Sequence, residues 1–164
     1  MIEDVSETLR GILQQRWLPR ELLDSQIVFD QPADGFKPTR TTIDLFLYEL
    51  RENHHTRVDE KTLPLACTYL VTAWPVDGQE LALKEHRLLS EVLQVFMGYS
   101  TIPTQLLKGR LVSQDPLPQL LVMRRDSTTN FSEFWSSLGS KPKPSLTVTV
   151  TIGVSALASG AYSG

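Results

Sequence analysis

Residues 65–97 read LACTYLVTAWPVDGQELALKEHRLLSEVLQVFM, and this run sets a strand and a helix side by side. The part from Leu65 to Trp74 is rich in β-branched and aromatic residues, which suit a pleated, half-buried surface. Leu65, Cys67, Tyr69, Val71 and Ala73 form one of its faces. Pro75 to Gly78 ends it with a turn. From Glu80 to Met97 the period becomes helical, with Leu81, Leu88, Leu89, Val92, Leu93 and Phe96 in an apolar stripe. Fully burying each such side chain is worth roughly 1.5–3 kcal/mol, so this helix is expected to anchor the core. Gly98 and Pro103 close it.

Toward the N-terminus, TTIDLFLYELREN at 41–53 reads as another strand. Ile43, Leu45 and Leu47 point one way; Asp44, Phe46, Tyr48 and Leu50 point the other. Both sides are largely apolar, which predicts a strand covered on both faces. The connection from Arg51 to Lys61 is polar. Before the strand, SQIVFD at 25–30 is a short strand candidate, followed by a loop with two prolines and an Asp-Gly turn signal. The chain opens with a helix. Ile2, Val5, Leu9, Ile12 and Leu13 share one face, Glu3, Asp4 and Glu7 favour the positive end of its dipole, and Pro19 forces a break.

Toward the C-terminus, GRLVS and QLLVM read as two short strands split by a loop containing Pro116 and Pro118. TTNFSEFWSSLG at 128–139 reads as a short helix, with Asn130 as N-cap, Glu133 three residues later and Gly139 as the stop. Phe131, Phe134, Trp135 and Leu138 would lie on its buried side. LTVTVTIGV at 146–154 has the cleanest period-two pattern in the chain, predicting one dry face and one threonine face. Together these patterns predict one α+β domain over 1–154, a mixed, mostly antiparallel sheet packed by one long central helix and flanking shorter helices. Residues 155–164, small and polar, are expected to form a flexible tail.

The bulk numbers exclude several function classes. The 164 residues match one ordinary domain, and 41% hydrophobic with 21% charged residues is a globular balance, so the body of the chain should fold. Net charge is −3, and no basic run exceeds the pair Arg124-Arg125. Nucleic-acid binding draws its affinity from phosphate neutralisation, which needs a basic face. The longest apolar stretches fall far short of the ~20 residues that span a bilayer. Acids at Glu3 and Asp4 argue against a secretory signal. The single cysteine, Cys67, excludes a disulfide scaffold within the chain and implies folding in a cytoplasm.

The residues offer no catalytic set. His54 and His55 lie together in a polar connection with no cysteine or i+4 histidine beside them, unlike a zinc site. His86 has no HExxH context. The Walker, dinucleotide and Gly-x-Ser-x-Gly signatures are missing. No cofactor and no metal are expected. Trp74 and Trp135 fit core patterns, whereas Trp17 follows the first helix beside Leu18 and Pro19 and is the better interface anchor.

Four stretches taken in order resemble one family: TTIDLFLYELREN, PLACTYLVTAW, EHRLLSEVLQVF with its following IP, and FWSSLGSKPKPSLTVTVTI. They are similar to the N-terminal domain of the tail-cap, or tail-terminator, proteins of extracellular contractile injection systems, of the antifeeding-prophage and virulence-cassette type. The resemblance runs from about Ile2 to Val154. It implies a structural protein with a tail-terminator-like fold, assembling as a six-fold ring at the tail end distal to the baseplate. There it would end growth of the inner tube and outer sheath. It implies partners in sheath, tube and further copies of itself, assembly in a bacterial cytoplasm, and a phage-tail-like particle that can be released. Some relatives carry a further C-terminal domain, whose role is not carried over.

Sheaths of this kind are linked by exchanged strands, as the resemblance implies, and the alternating strand Leu146 to Val154, with the small-residue tail after it, is expected to be the donor or acceptor that pairs with sheath subunits. The candidate interface residues are Trp17, Arg51, Asn53, Arg124, Arg125, Thr147, Thr149 and Thr151. Rival readings are another structural adaptor of the same particle and a small enzyme using Cys67 and a histidine. The thiol separates the last from the rest. A cysteine alternating with apolar neighbours is core. Thiol labelling of Cys67 in the native protein should be slow and become fast on denaturation; fast native labelling would favour the enzyme.

Overall fold

The computed structural model describes residues 1–53, 61–123 and 131–157. Helix α1 (Ile2–Ile12) and the one-turn α2 (Arg20–Leu23) lead into strand β1 (Gln26–Val28). Then come β2 (Thr42–Glu52), β3 (Thr62–Trp74), the long helix α3 (Leu81–Met97), two 3-10 turns (Thr104–Leu106 and Gly109–Ser113), β4 (Gln119–Val122), α4 (Phe131–Ser137) and β5 (Leu146–Ser155). The five strands form one sheet in the order β1-β2-β3-β5-β4. β1 runs parallel to β2, and every other pair is antiparallel. This is the expected mixed, mostly antiparallel α+β arrangement.

The core lies between one sheet face and the helical layer. β3 supplies Cys67, Tyr69, Val71 and Ala73, all fully buried, and β5 supplies Val148, Val150 and Ile152. From α3, Leu88, Leu89, Val92 and Phe96 pack onto them as expected, joined by Val95. Leu81 departs from the predicted stripe and is exposed. It is the first residue of the helix, after a left-handed Glu80, and lies beyond the end of the packed surface. Val5, Leu9, Ile12 and Leu13 from the N-terminal helix and its C-cap complete the layer. The Tyr69 hydroxyl meets the Ser6 hydroxyl at 2.7 Å, so this buried aromatic keeps a polar partner.

The structure corrects three expectations. First, β2 does not keep one parity. Leu47 opposes Tyr69 but Glu49 opposes Thr68, so a bulge at Tyr48 shifts the register. Leu50 then pairs with Cys67 and returns to the face of Leu45 and Leu47. Second, GRLVS is the second 3-10 turn rather than a strand. Gly109 has φ +56, where a side chain would be strained and would strike Asp4, and the Asp4 carboxylate accepts the Arg110 N–H at 3.2 Å. With this long-range contact the segment curls into a 3-10 turn and Leu111 is buried. Third, the threonine face of β5 is not open. Thr149 and Thr151 are buried, and the Thr149 hydroxyl meets that of Thr68 across the ladder at 3.1 Å.

The covers on that second face come from loops and from α4. Phe36 stands edge-on to Trp74 with ring centroids 4.8 Å apart. The Lys143 ammonium lies 4.5 Å from the centre of the same Trp74 ring and also pairs with Glu85 of α3. Phe134 of α4 meets Tyr48 edge-on at 5.2 Å, and Trp135 is buried. Gly139 follows α4 at φ +70, as its stop position requires. The expected N-cap Asn130 and the side chain of Phe131 lie outside the described residues. α2 has no counterpart among the predicted elements. It starts right after Pro19, whose fixed φ suits a helix entrance.

Asp44 brings a carboxyl group into this second face. It is fully buried, neither carboxylate oxygen has a hydrogen-bond partner, and Thr72 is its cross-strand neighbour. Burial, with a smaller push from Asp30, raises its carboxyl from 3.8 to about 8. The folded state therefore holds a proton that the unfolded chain releases near pH 4. Stability should fall as pH rises from about 4 to 8, by up to about 1.4 kcal/mol per pH unit, and level off above 8. Asp44→Asn should flatten this slope in urea titrations across that pH range. An unchanged slope would show that Asp44 does not carry it.

Candidate functional site

A sheet covered over most of both faces offers other molecules chiefly its edges. Each edge strand presents unpaired N–H and C=O groups that a second chain can pair with, unless something closes them. The two sides of this sheet differ in that respect.

On the β4 side, closure is thorough. Thr101 bridges to Gln119, Leu120 N–H donates to the Ser100 carbonyl at 2.9 Å, and Ile102 N–H donates to the Pro118 carbonyl at 2.9 Å. The segment after α3 thus lies along β4 as a short extra rung. β4 pairs β5 only from Val148 to Thr151. Past that point, the Gln114 side chain bonds the main chain of Gly153.

On the other side, β1 covers only Thr42, Ile43 and Asp44 of β2. Among the described residues no strand lies beyond Leu45–Arg51. Asn53 donates its N–H to Pro64 of β3 at 2.8 Å, so by strand alternation Leu50 turns its N–H outward. Leu50 is 48% exposed there. The Tyr48 bulge and the Glu49–Arg51 ion pair at 3.3 Å lie on the same stretch. Bulges and charges are how open edges are kept from indiscriminate pairing.

The interface candidates named from the sequence fall in different places. Arg51 lies on the open edge, and Asn53 stands at its end. Trp17 is 67% exposed in the turn between α1 and α2, its indole N–H donating to Gln15 Oε1 at 3.2 Å. Gln15 Nε2 also donates to the Tyr99 hydroxyl at 3.0 Å, which ties the turn to the end of α3. Thr147 is half-buried, and Thr149 and Thr151 are interior. β5 is flanked by β3 and β4, so it is a central strand and not the exposed strand expected to pair with sheath subunits. Arg124 and Arg125 lie outside the described residues. The exposed Leu50 and the open run around it carry no mark in the sequence. Edge status depends on which strands pair, and a local pattern does not carry that.

Cys67 is fully buried, and burial pushes its thiol up to about 11, opposite to the shift that activates a nucleophile. His86 is on the exposed side of α3, so the pair does not meet. His54 and His55 lie outside the described residues. Among the described residues, no three His, Cys, Asp or Glu side chains gather where they could hold a metal ion. No described helix is long and apolar enough to cross a membrane.

Known proteins share this architecture. Residues 4–155 match the family model of the Pvc16 N-terminal domain. The sheath/tube terminator of PVC, an extracellular contractile injection system, in its extended state, superposes with a TM-score of 0.71 at 23% identity, covering 96% of this chain and 57% of that one. The tube-terminating cap of the anti-feeding prophage gives 0.68 at 21% identity, covering 98% and 57%. The chain thus spans a little over half the length of the solved proteins it matches. No curated protein matches it. With nearly the whole chain inside one family model and the fold shared with two terminators, the protein belongs to the Pvc16 N-terminal domain family.

Proposed function

We propose that the protein is a structural cap of a contractile injection system, a ring of six copies that ends growth of inner tube and sheath at the baseplate-distal end. The family and the fold shared with a sheath/tube terminator and a tube-terminating cap support this reading. It acts by docking and carries no catalytic step. It is assembled in a bacterial cytoplasm and leaves as part of the particle.

The single observation that carries the docking mode is the open edge of β2 from Leu45 to Arg51. An extended arm of a neighbouring particle protein adds there as a further strand, with main-chain hydrogen bonds giving affinity and Leu50 offering an apolar contact. The arm comes to this edge because the others are short or closed. β1 offers three residues, β4 is bridged by 100–102, and the end of β5 is occupied by Gln114. Trp17 supplies a second, separate contact on the helical side.

Particles made without this protein should have tails of uncontrolled length in electron micrographs; tails of normal length would sink the cap reading. Leu50→Pro removes the outward N–H while leaving the bonds to β3 in place. It should fold with near-normal stability yet be lost from purified particles. Retention at the normal level would show that the arm docks elsewhere.

A further inference from the structure

We infer that Gln114 is a side-chain seal on a second, latent strand-acceptor at the end of β5, and that the open acceptor takes the β2 edge of another copy of this chain. The edge geometry alone carries this, whether or not the protein is a cap.

Gln114 behaves as a substitute strand residue. Gly153 N–H donates to its Oε1 at 2.8 Å, and its Nε2 donates back to the Gly153 carbonyl at 2.9 Å. This is the two-way exchange that a hydrogen-bonded residue pair makes between antiparallel strands. The carboxamide is a peptide group on a tether, so the chemistry recognised at this spot is that of a polypeptide backbone. The tether is held by its own main chain, whose N–H donates to the Leu111 carbonyl at 3.0 Å where the second 3-10 turn ends. Gly153 fits the same role: a Cβ there would approach the Thr62 methyl at 3.0 Å and Gln114 Oε1 at 3.6 Å. The amide closes one edge of a cavity of about 480 Å³, lined in part by Pro64, Leu117, Gln119 and Ile152.

Removing the amide would leave Ile152 to Ser155 without a strand partner on that side, since β4 stops at the partner of Thr151, and only the 113–117 segment lining the cavity would stand beside them. Four extended residues span about 13 Å, enough for a short strand to enter. The one long open edge among the described residues is Leu45–Arg51 of β2, at the opposite side of the sheet. A β2 edge on one copy and a β5 edge on the next make a head-to-tail contact, which repeats without limit unless its rotation closes. Gln114 therefore keeps free copies from chaining and leaves β2 available for its proper partner.

The test uses the purified full chain, sedimentation over a concentration series and hydrogen exchange at the Gly153 amide. The wild type should keep one size, with Gly153 protected. At low concentration Gln114→Ala should exchange Gly153 about tenfold faster, and its size should grow as concentration rises. Adding Leu50→Pro should abolish the growth and leave the fast exchange. A folded Gln114→Ala protein with exposed Gly153 and wild-type size would overturn the acceptor; growth that survives Leu50→Pro would overturn the occupant. Should Gln114→Ala fail to fold, Gln114→Glu keeps the accepting half of the seal and loses the donating half. Its growth, smaller than that expected of the alanine variant, supports the proposal, and its wild-type behaviour contradicts it.

Discussion

Every backbone N–H and C=O of a buried sheet must find a partner, and that requirement organises this molecule. Both faces of the sheet are covered, by α1 and α3 on one side and by Phe36, Lys143 and α4 on the other. The faces therefore have little free surface to offer beyond Leu121 of β4, and the edges become the main places where another chain can be met. Two edge stretches are satisfied internally, one by main chain at 100–102 and one by a single carboxamide. The third is left to the outside. On the proposed reading, docking is a matter of which hydrogen bonds the fold leaves unmade.

Much of the fold is legible in the sequence because it rests on short-range periodicity. The helical stripe ending at Phe96, the dry face of Tyr69 and Val71, and the alternation of Val148, Val150 and Ile152 all lie where the pattern puts them. The failures share a cause: each depends on a contact or pairing that the local pattern does not hold. Threonines at 149 and 151 have the look of a wet face, yet both are buried, and Thr149 meets Thr68 across the ladder. Simple alternation assigns Leu50 to the face of Asp44, and a bulge at Tyr48 moves it across. GRLVS has strand composition, but Asp4, more than a hundred residues earlier, binds its backbone and turns it into a 3-10 coil.

The candidate site is less legible than the fold. The charge balance argues against a nucleic-acid surface, and the ordered resemblance points to the family. Neither reveals that β5 is central and that β2 carries the open edge, because strand order is a property of pairing. Gln114 gives no signal at all, since a glutamine in a proline-flanked loop looks like any solvated residue. Arg51 stands out only as a polar strand end, and its place on the open edge follows from β1 stopping at the partner of Asp44.

The open run of β2 is, on this account, where the particle holds this protein. An image of the cap end of intact particles, sharp enough to trace main chain, tests that most directly. The account predicts an extended segment of another particle protein lying beside Leu45 to Arg51, hydrogen-bonded as a sixth strand, with Gln114 still on Gly153. A capped particle in which that edge faces solvent, or a helix packs there without strand pairing, would contradict it.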